Sequence, residues 1–165
     1  MQIFTPLYNA ALNGYVEVVR ELLKHGAKVE SADKDGWTPL YTTALNGHVE
    51  VVQELLKHGA KVENATKNVW KPVHAAAAKD HVEVVRELLK HGAKLESADE
   101  NGCTPLYTAA INGNVEVVQE LLEHGANLES AENGCRTPLK AAAFSRRVEV
   151  FRELQKHGAS VLCRK

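Results

Sequence analysis

Residues 33–60 read Asp33-Lys34-Asp35-Gly36-Trp37-Thr38-Pro39-Leu40-Tyr41-Thr42-Thr43-Ala44-Leu45-Asn46-Gly47-His48-Val49-Glu50-Val51-Val52-Gln53-Glu54-Leu55-Leu56-Lys57-His58-Gly59-Ala60. Asp33 suits the first position of a turn and Gly36 supplies the positive φ at the fourth. Thr38 reads as a helix N-cap, with Pro39 at the first helical position, where a missing N–H costs nothing. A short helix is expected over residues 40–46, closed by Gly47, with small Thr43 and Ala44 admitting a close neighbour. A second helix is expected over residues 49–58. Val49, Val51, Val52, Leu55 and Leu56 form its wide apolar stripe, while Glu50, Gln53, Glu54 and Lys57 are expected to face water. Glu50 near its start and Lys57-His58 near its end suit the helix dipole, and Gly59 ends it. A turn, a short helix, a turn and a longer helix cannot bury that stripe alone.

The unit recurs. His-Gly-Ala occurs at His25, His58, His91, His124 and His157, each step being 33 residues. Val-Glu-Val recurs with the same step at Val16, Val49, Val82, Val115 and Val148. Thr-Pro-Leu stands at Thr5, Thr38, Thr104 and Thr137, its third copy decayed to Lys71-Pro72-Val73. Five registers divide the chain at about 1–32, 33–65, 66–98, 99–131 and 132–165, read as one domain of stacked repeats. A longer period overlies this one: Arg20, Gln53, Arg86, Gln119 and Arg152 alternate, and residues 30–56 match 96–122 most closely. A duplicated two-repeat unit explains it.

These residues resemble the ankyrin repeat, with its Asp-x-x-Gly-x-Thr-Pro-Leu-x-x-x-Ala, Gly-His-x-Glu-Val-Val and Leu-Leu-x-x-Gly-Ala segments. The resemblance covers residues 1 to about 162. It implies an all-α solenoid: a right-handed stack of helix–turn–helix units with β-turn or hairpin fingers projecting at right angles. Fingers and short helices would then line the concave side. The 34-residue tetratricopeptide and the about 40–47-residue HEAT arrays do not fit this period.

Composition excludes several functions. Twenty Lys+Arg against 21 Asp+Glu leave a formal charge of −1, with no bulk attraction to nucleic acid or anionic membrane. No apolar run approaches the ~18 residues of a membrane helix, and the N-terminus lacks the regions of a signal peptide. Three cysteines, Cys103, Cys135 and Cys163, are odd in number and lack metal-ligand spacing, so a reducing, cytoplasmic setting is expected. A Cys103–Cys135 bridge would have to span adjacent fingers, near or beyond the ~7 Å Cα limit. Neither a P-loop, nor a GxGxxG stretch, nor a nucleophile beside a base is present, so no catalytic residue, enzyme activity or cofactor is expected.

The eight histidines suggest metal, but spacing argues otherwise. Packed helices lie ~8–10 Å apart, whereas Zn–N bonds are ~2.0 Å, so the five helix-end histidines cannot share an ion. They are expected to bond terminal carbonyls instead. His48 and His81 are read as loop packing. His74 stands where the other repeats have Tyr8, Tyr41, Tyr107 and Lys140, and the resemblance implies that it braces its finger.

Function is sought where the repeat stops repeating. The column before Thr-Pro-Leu holds Trp37, Trp70, Cys103 and Arg136. Finger tips hold Lys34-Asp35, Lys67-Asn68, Glu100-Asn101 and Asn133-Gly134. Short helices end in Leu12-Asn13, Leu45-Asn46, Ala78-Lys79, Ile111-Asn112 and Phe144-Ser145. The resemblance implies that these positions contact a partner on the concave face. The expected occupant is a protein or an extended peptide, anchored on exposed Trp37 and Trp70 and hydrogen-bonded by Asn13, Asn46 and Asn112. Stacking of the two tryptophans as braces is the competing role.

The expected function is therefore a non-catalytic protein–protein interaction module. The alternative is a structural scaffold, a fragment or an engineered array, that associates end to end. Repeat one shows no polar cap, and Arg146, Arg147 and Gln155 make repeat five a partial one. Repeat three departs most. Thr66-Lys67-Asn68-Val69 has lost the finger's Asp and Gly, Lys71 replaces the Thr cap, and Asp80 replaces the inter-helix Gly. Remodelling for binding and simple drift both explain it. As a core test, Leu89→Ala is expected to cost about 2–5 kcal/mol, and Leu154→Ala less in a frayed end repeat.

Overall fold

The computed structural model of the chain describes residues 5–130 and 137–160. Ten helices and no strand occur among them: α1 (Pro6–Leu12), α2 (Val16–Lys24), α3 (Pro39–Asn46), α4 (Val49–Lys57), α5 (Pro72–Ala78), α6 (Val82–Lys90), α7 (Pro105–Asn112), α8 (Val115–Glu123), α9 (Pro138–Phe144) and α10 (Val148–Lys156). Short and long helices alternate, and each short–long pair packs on the next. The short helices form one row and the long helices a second, with the core between. Each short helix begins at proline. The hydroxyls of Thr5, Thr38, Thr104 and Thr137 accept the N–H three residues on, at 3.1–3.5 Å, as the sequence predicts.

Direction of packing decides which apolar residues are core. Val51, Leu55, Val84, Leu88, Val117, Leu121, Val150 and Leu154 are essentially sealed, whereas Val18 in the same column of the first pair is 49% exposed and Leu22 half-buried. These columns therefore face the preceding pair. Two expectations change accordingly. In the third pair the sealed leucine is Leu88, while Leu89 is only half-buried. Leu154 is fully buried, because the last pair still has a predecessor.

Glu54 does not face water either. The side chains of Glu54, Glu87 and Glu153 keep 14% exposure and Glu120 keeps 6%. Between neighbouring long helices Arg20 Nε meets Glu54 at 3.3 Å and Gln53 Nε2 donates to Glu87 at 3.4 Å. Arg86 binds Glu120 through Nε at 3.1 and 3.2 Å and Nη2 at 2.5 Å. Those bonds hold the Glu120 carboxyl below the usual carboxylate range. Along these three positions the Arg/Gln alternation sets ion pairs against a hydrogen bond from a neutral amide to a carboxylate. A second ladder lies in the loops. Glu30, Glu63, Glu96 and Glu129 accept the backbone N–H of Lys61, Lys94, Asn127 and Ser160 at 2.8–3.0 Å, tying each loop to the next.

The inter-helix loops interlock. His48 Nε2 bonds the Leu12 carbonyl at 3.1 Å and His81 Nε2 that of Leu45 at 3.2 Å. Asn114 and Arg147 reach Ala77 and Ile111 in the same way. A Cβ on Gly14 would lie 2.7 Å from the His48 ring, and one on Gly47 2.6 Å from His81. Glycine is needed there for space as well as for its positive φ. Where Asp80 replaces that glycine, with φ 61°, the residue reaching in from the next pair is the shorter Asn114.

Val69 has no such relief. Its φ is 60°, left-handed like the 81° and 82° that Gly36 and Gly102 supply in neighbouring fingers, and its side chain is exposed. A β-branched residue in the left-handed region costs on the order of 1 kcal/mol or more. Val69→Gly is expected to raise stability by about 1 kcal/mol, read as a later urea midpoint at unchanged slope.

Candidate partner-binding face

Three fingers are described, residues 33–37, 66–70 and 99–103. Each closes by a backbone pair, from Asp33 to Trp37, Thr66 to Trp70 and Asp99 to Cys103, at 2.8–3.0 Å. Asp33 Oδ1 accepts the N–H of Asp35 and Trp37, and Asp99 Oδ1 those of Asn101 and Cys103. Thr66 Oγ1 keeps one such bond, from Trp70. The finger of the third pair has thus kept its shape despite losing Asp and Gly. Lys67 N–H also donates to the Asp35 carbonyl at 3.0 Å, and Lys67 Nζ lies 3.7 Å from Asp35 Oδ1.

Both tryptophans are half-buried rather than exposed, because each leans on a neighbour. Trp37 packs on Tyr41 with ring centroids 5.0 Å apart. Trp70 lies 6.1 Å from His74, and its indole N–H donates to Asp99 Oδ2 at 3.0 Å. Bracing is therefore real at Trp70, which joins two fingers. Between the first two fingers a cleft of about 300 Å³ is lined by Asp35, Trp37, Tyr41, Thr66, Lys67, Asn68 and Trp70. Tyr41 belongs to this wall, although its place in the repeat reads as structural; burial pushes its hydroxyl pKa up to about 12. The sequence signal was its position four residues after Trp37.

The remaining positions divide by exposure. Lys34, Asp35, Lys67, Asn68, Glu100 and Asn101 are exposed at the finger tips, and Cys103 is half-buried at a finger base. Leu12, Asn13, Asn46, Lys79, Asn112 and Phe144 are exposed at the short-helix ends, and Leu45, Ala78 and Ile111 half-buried. Arg136, Asn133, Gly134 and Cys135 lie outside the described residues. The asparagines differ from expectation. Asn13, Asn46 and Asn112 each donate Nδ2 to the carbonyl four residues earlier, at 2.7–2.8 Å, and so finish their own helices. The amide oxygen is what they have left to offer a partner.

Beneath the fingers His74 is fully buried. Its Nδ1 accepts the Lys71 N–H at 3.3 Å, while its backbone N–H, the donor that Thr caps elsewhere, goes to the Lys71 carbonyl at 3.0 Å; its protonated Nε2 donates to the carbonyls of Ser97 and Cys103 at 3.0 and 3.2 Å. It thus braces the following finger as well as its own. Burial pulls its pKa down, with the Lys71 charge adding to that, against the pull of the two carbonyls and Asp99. Lys71 Nζ reaches Glu63 at 3.0 Å and Ser97 Oγ at 3.1 Å. Burial would raise the Glu63 carboxyl, but the Lys94 N–H, Lys71 and Ser97 together hold it below its ordinary value. Lys71 and His74 are thus tied to each other and to the loop before the next finger. The five helix-end histidines each place Nδ1 at 2.8–3.0 Å from the carbonyl four residues earlier.

Capped short helices, reaching loops and fingers recur pair after pair, and a family model described as ankyrin repeats (3 copies) matches residues 3–66 and 73–165. The chain belongs to the ankyrin-repeat family. A search of curated proteins finds no significant match. Ankyrin repeats are generally non-catalytic protein–protein interaction modules, and the variable finger and helix-end residues are where this ankyrin stack differs from pair to pair. No group of His, Cys, Asp and Glu that would hold a metal occurs among the described residues, and none of their helices is long and apolar enough to cross a membrane.

Proposed function

We propose that the chain is a single domain of five ankyrin repeats that binds an extended protein segment on its concave face. It works without catalysis, metal or cofactor, in a reducing cytoplasm, and neither nucleic acid nor membrane is its partner. The observation that carries this is the cleft between the first two fingers. Two aromatic walls, an acid and a cation meet there beside exposed tips. A side chain of the bound segment would insert between Trp37 and Trp70 while finger tips and the ends of the short helices follow its backbone.

A peptide selected from a display library against the folded chain provides the probe. Trp37→Ala is expected to weaken its binding about 30-fold, roughly 2 kcal/mol, with little change in Tm. Trp70→Ala is expected to weaken binding and also lower Tm, since it removes the bond to Asp99. Glu50→Arg, on the outer side of a long helix, should change neither. Unaltered affinity in Trp37→Ala, with binding abolished by Glu50→Arg, would place the partner on the opposite face. A second reading, association through the ends, is favoured by Phe144, 84% exposed at the last pair.

A further inference from the structure

The two ends of the stack are unlike, and each matches the other. At the first pair a shallow depression is lined by Glu17, Val18, Glu21, Leu22 and His25. Val18 and Leu22 occupy the columns that are sealed wherever another pair precedes them. At the last pair the depression is lined by Ala142, Ala143, Arg146, Arg147, Val148 and Phe151. Val148 is 56% exposed where its equivalents Val16, Val49, Val82 and Val115 are half-buried beneath the next pair, and Phe151 is half-buried where Val19, Val52, Val85 and Val118 are sealed. One end is apolar with two carboxylates, Glu17 held by Arg20 at 2.6 Å and Glu21 by Lys24 at 3.5 Å. The other is apolar with two guanidiniums, and a third, that of Arg152, is exposed on α10.

We propose that a second copy of this chain docks head to tail, its first pair continuing the stack beyond the last pair of its neighbour. This rests on the reading that the ends associate, and adds the polarity and register of the contact. Joining two last pairs sets Arg146, Arg147 and Arg152 against themselves. Joining two first pairs leaves Glu17 and Glu21 only the Arg20 and Lys24 that they already hold. The head-to-tail contact brings these carboxylates up to the guanidiniums around an apolar centre.

The register is already written inside the chain. Arg20 reaches Glu54, Gln53 reaches Glu87 and Arg86 reaches Glu120, always from one long helix to the glutamate 34 residues on. Continuing the stack puts Arg152 of one copy in that relation to Glu21 of the next. Glu21 already holds the helix neighbours that its equivalent Glu87 holds: Lys24 at 3.5 Å and His25 at 3.8 Å match Lys90 and His91, both at 3.6 Å. What it lacks is the group arriving from a preceding helix. Tyr15 stands in the column of His48 and His81 but would meet Arg146 where they meet Gly14 and Gly47, so its exposed ring turns outward over Arg146 instead of entering the loop. Because the contact is heterologous and does not use up either far end, it generates an open series rather than a closed dimer.

Sedimentation velocity on the full chain, from micromolar to near-millimolar concentration at low salt, tests this. The weight-average mass is expected to climb past the dimer and to fall with added salt. Val18→Glu blocks one end and Val148→Glu the other, both at exposed positions, and far-UV circular dichroism checks that each variant is folded. Each alone is expected to be monomeric. An equimolar mixture should give a dimer and nothing larger, through the one intact end on each. Arg152→Glu or Glu21→Arg alone should weaken association roughly tenfold, and the double variant should restore it. A wild-type chain that stays monomeric throughout overturns end association itself. A single blocked variant that still dimerises overturns the polarity but not association. Failure of the double variant to recover overturns the Arg152–Glu21 register.

Discussion

Replacing Leu88 with alanine is expected to remove about 2–5 kcal/mol, and the same change at Leu22 about 1 kcal/mol. Leu88 is fully enclosed between α6 and the pair before it, so truncation leaves a cavity that flanking helices cannot close. Leu22 occupies the same column but has no pair in front of it, and much of its surface already meets solvent. Leu154 should behave like Leu88 in contact loss, since α8 covers it. Urea melts of the three variants read the order directly. Equal losses at Leu22 and Leu88 would mean that the column does not face the preceding pair.

Replacing His74 with alanine is expected to cost about 3 kcal/mol or more. One imidazole satisfies the Lys71 N–H and the carbonyls of Ser97 and Cys103, so it ties the start of α5 to the base of the next finger. Its loss leaves a buried donor and two acceptors to find water inside a packed stack. The pH dependence carries a sign. The folded-state pKa lies below the ordinary 6.5, so the folded chain resists the proton that the unfolded chain accepts. The stabilisation is complete above about pH 6.5 and is lost as pH falls through 6.5 toward the lower folded value. Melting His74→Tyr, which carries the side chain found at Tyr41 and Tyr107, should show a lower Tm at neutral pH and a smaller decline on acidification. An acid dependence identical to that of the parent would remove His74 as its source.

The architecture was legible because the sequence states it repeatedly: threonine caps, prolines at the first helical position and glycines past helix ends all stand where the helices begin and end. Each is a short-range signal, satisfied within four or five residues. What was not legible depends on residues about one period away. Leu88 and Leu89 are adjacent in one apolar stripe, and only the side from which the neighbouring pair approaches tells them apart. Glu54 falls on the polar side of an isolated helix, yet the preceding long helix covers it and Arg20 meets it there. Trp70 reads as an exposed anchor until Asp99, 29 residues later, accepts the hydrogen bond of its indole N–H. Lys71 reads only as the loss of a cap until its N–H is seen held by His74 and its ammonium by Glu63.

The fit of the reaching residue into the loop before it gives the stack an order of succession. A histidine can follow only a glycine, as His48 follows Gly14 and His81 follows Gly47, because a Cβ there would stand within 3 Å of the ring. Asp80 breaks that rule and tolerates Asn114 behind it. The unit carrying Asp80 therefore accepts the successor carrying the short Asn114 and refuses a His-bearing one. Shuffling these units, by recombination or at the bench, is directional: some junctions transplant freely, and others carry their collision with them.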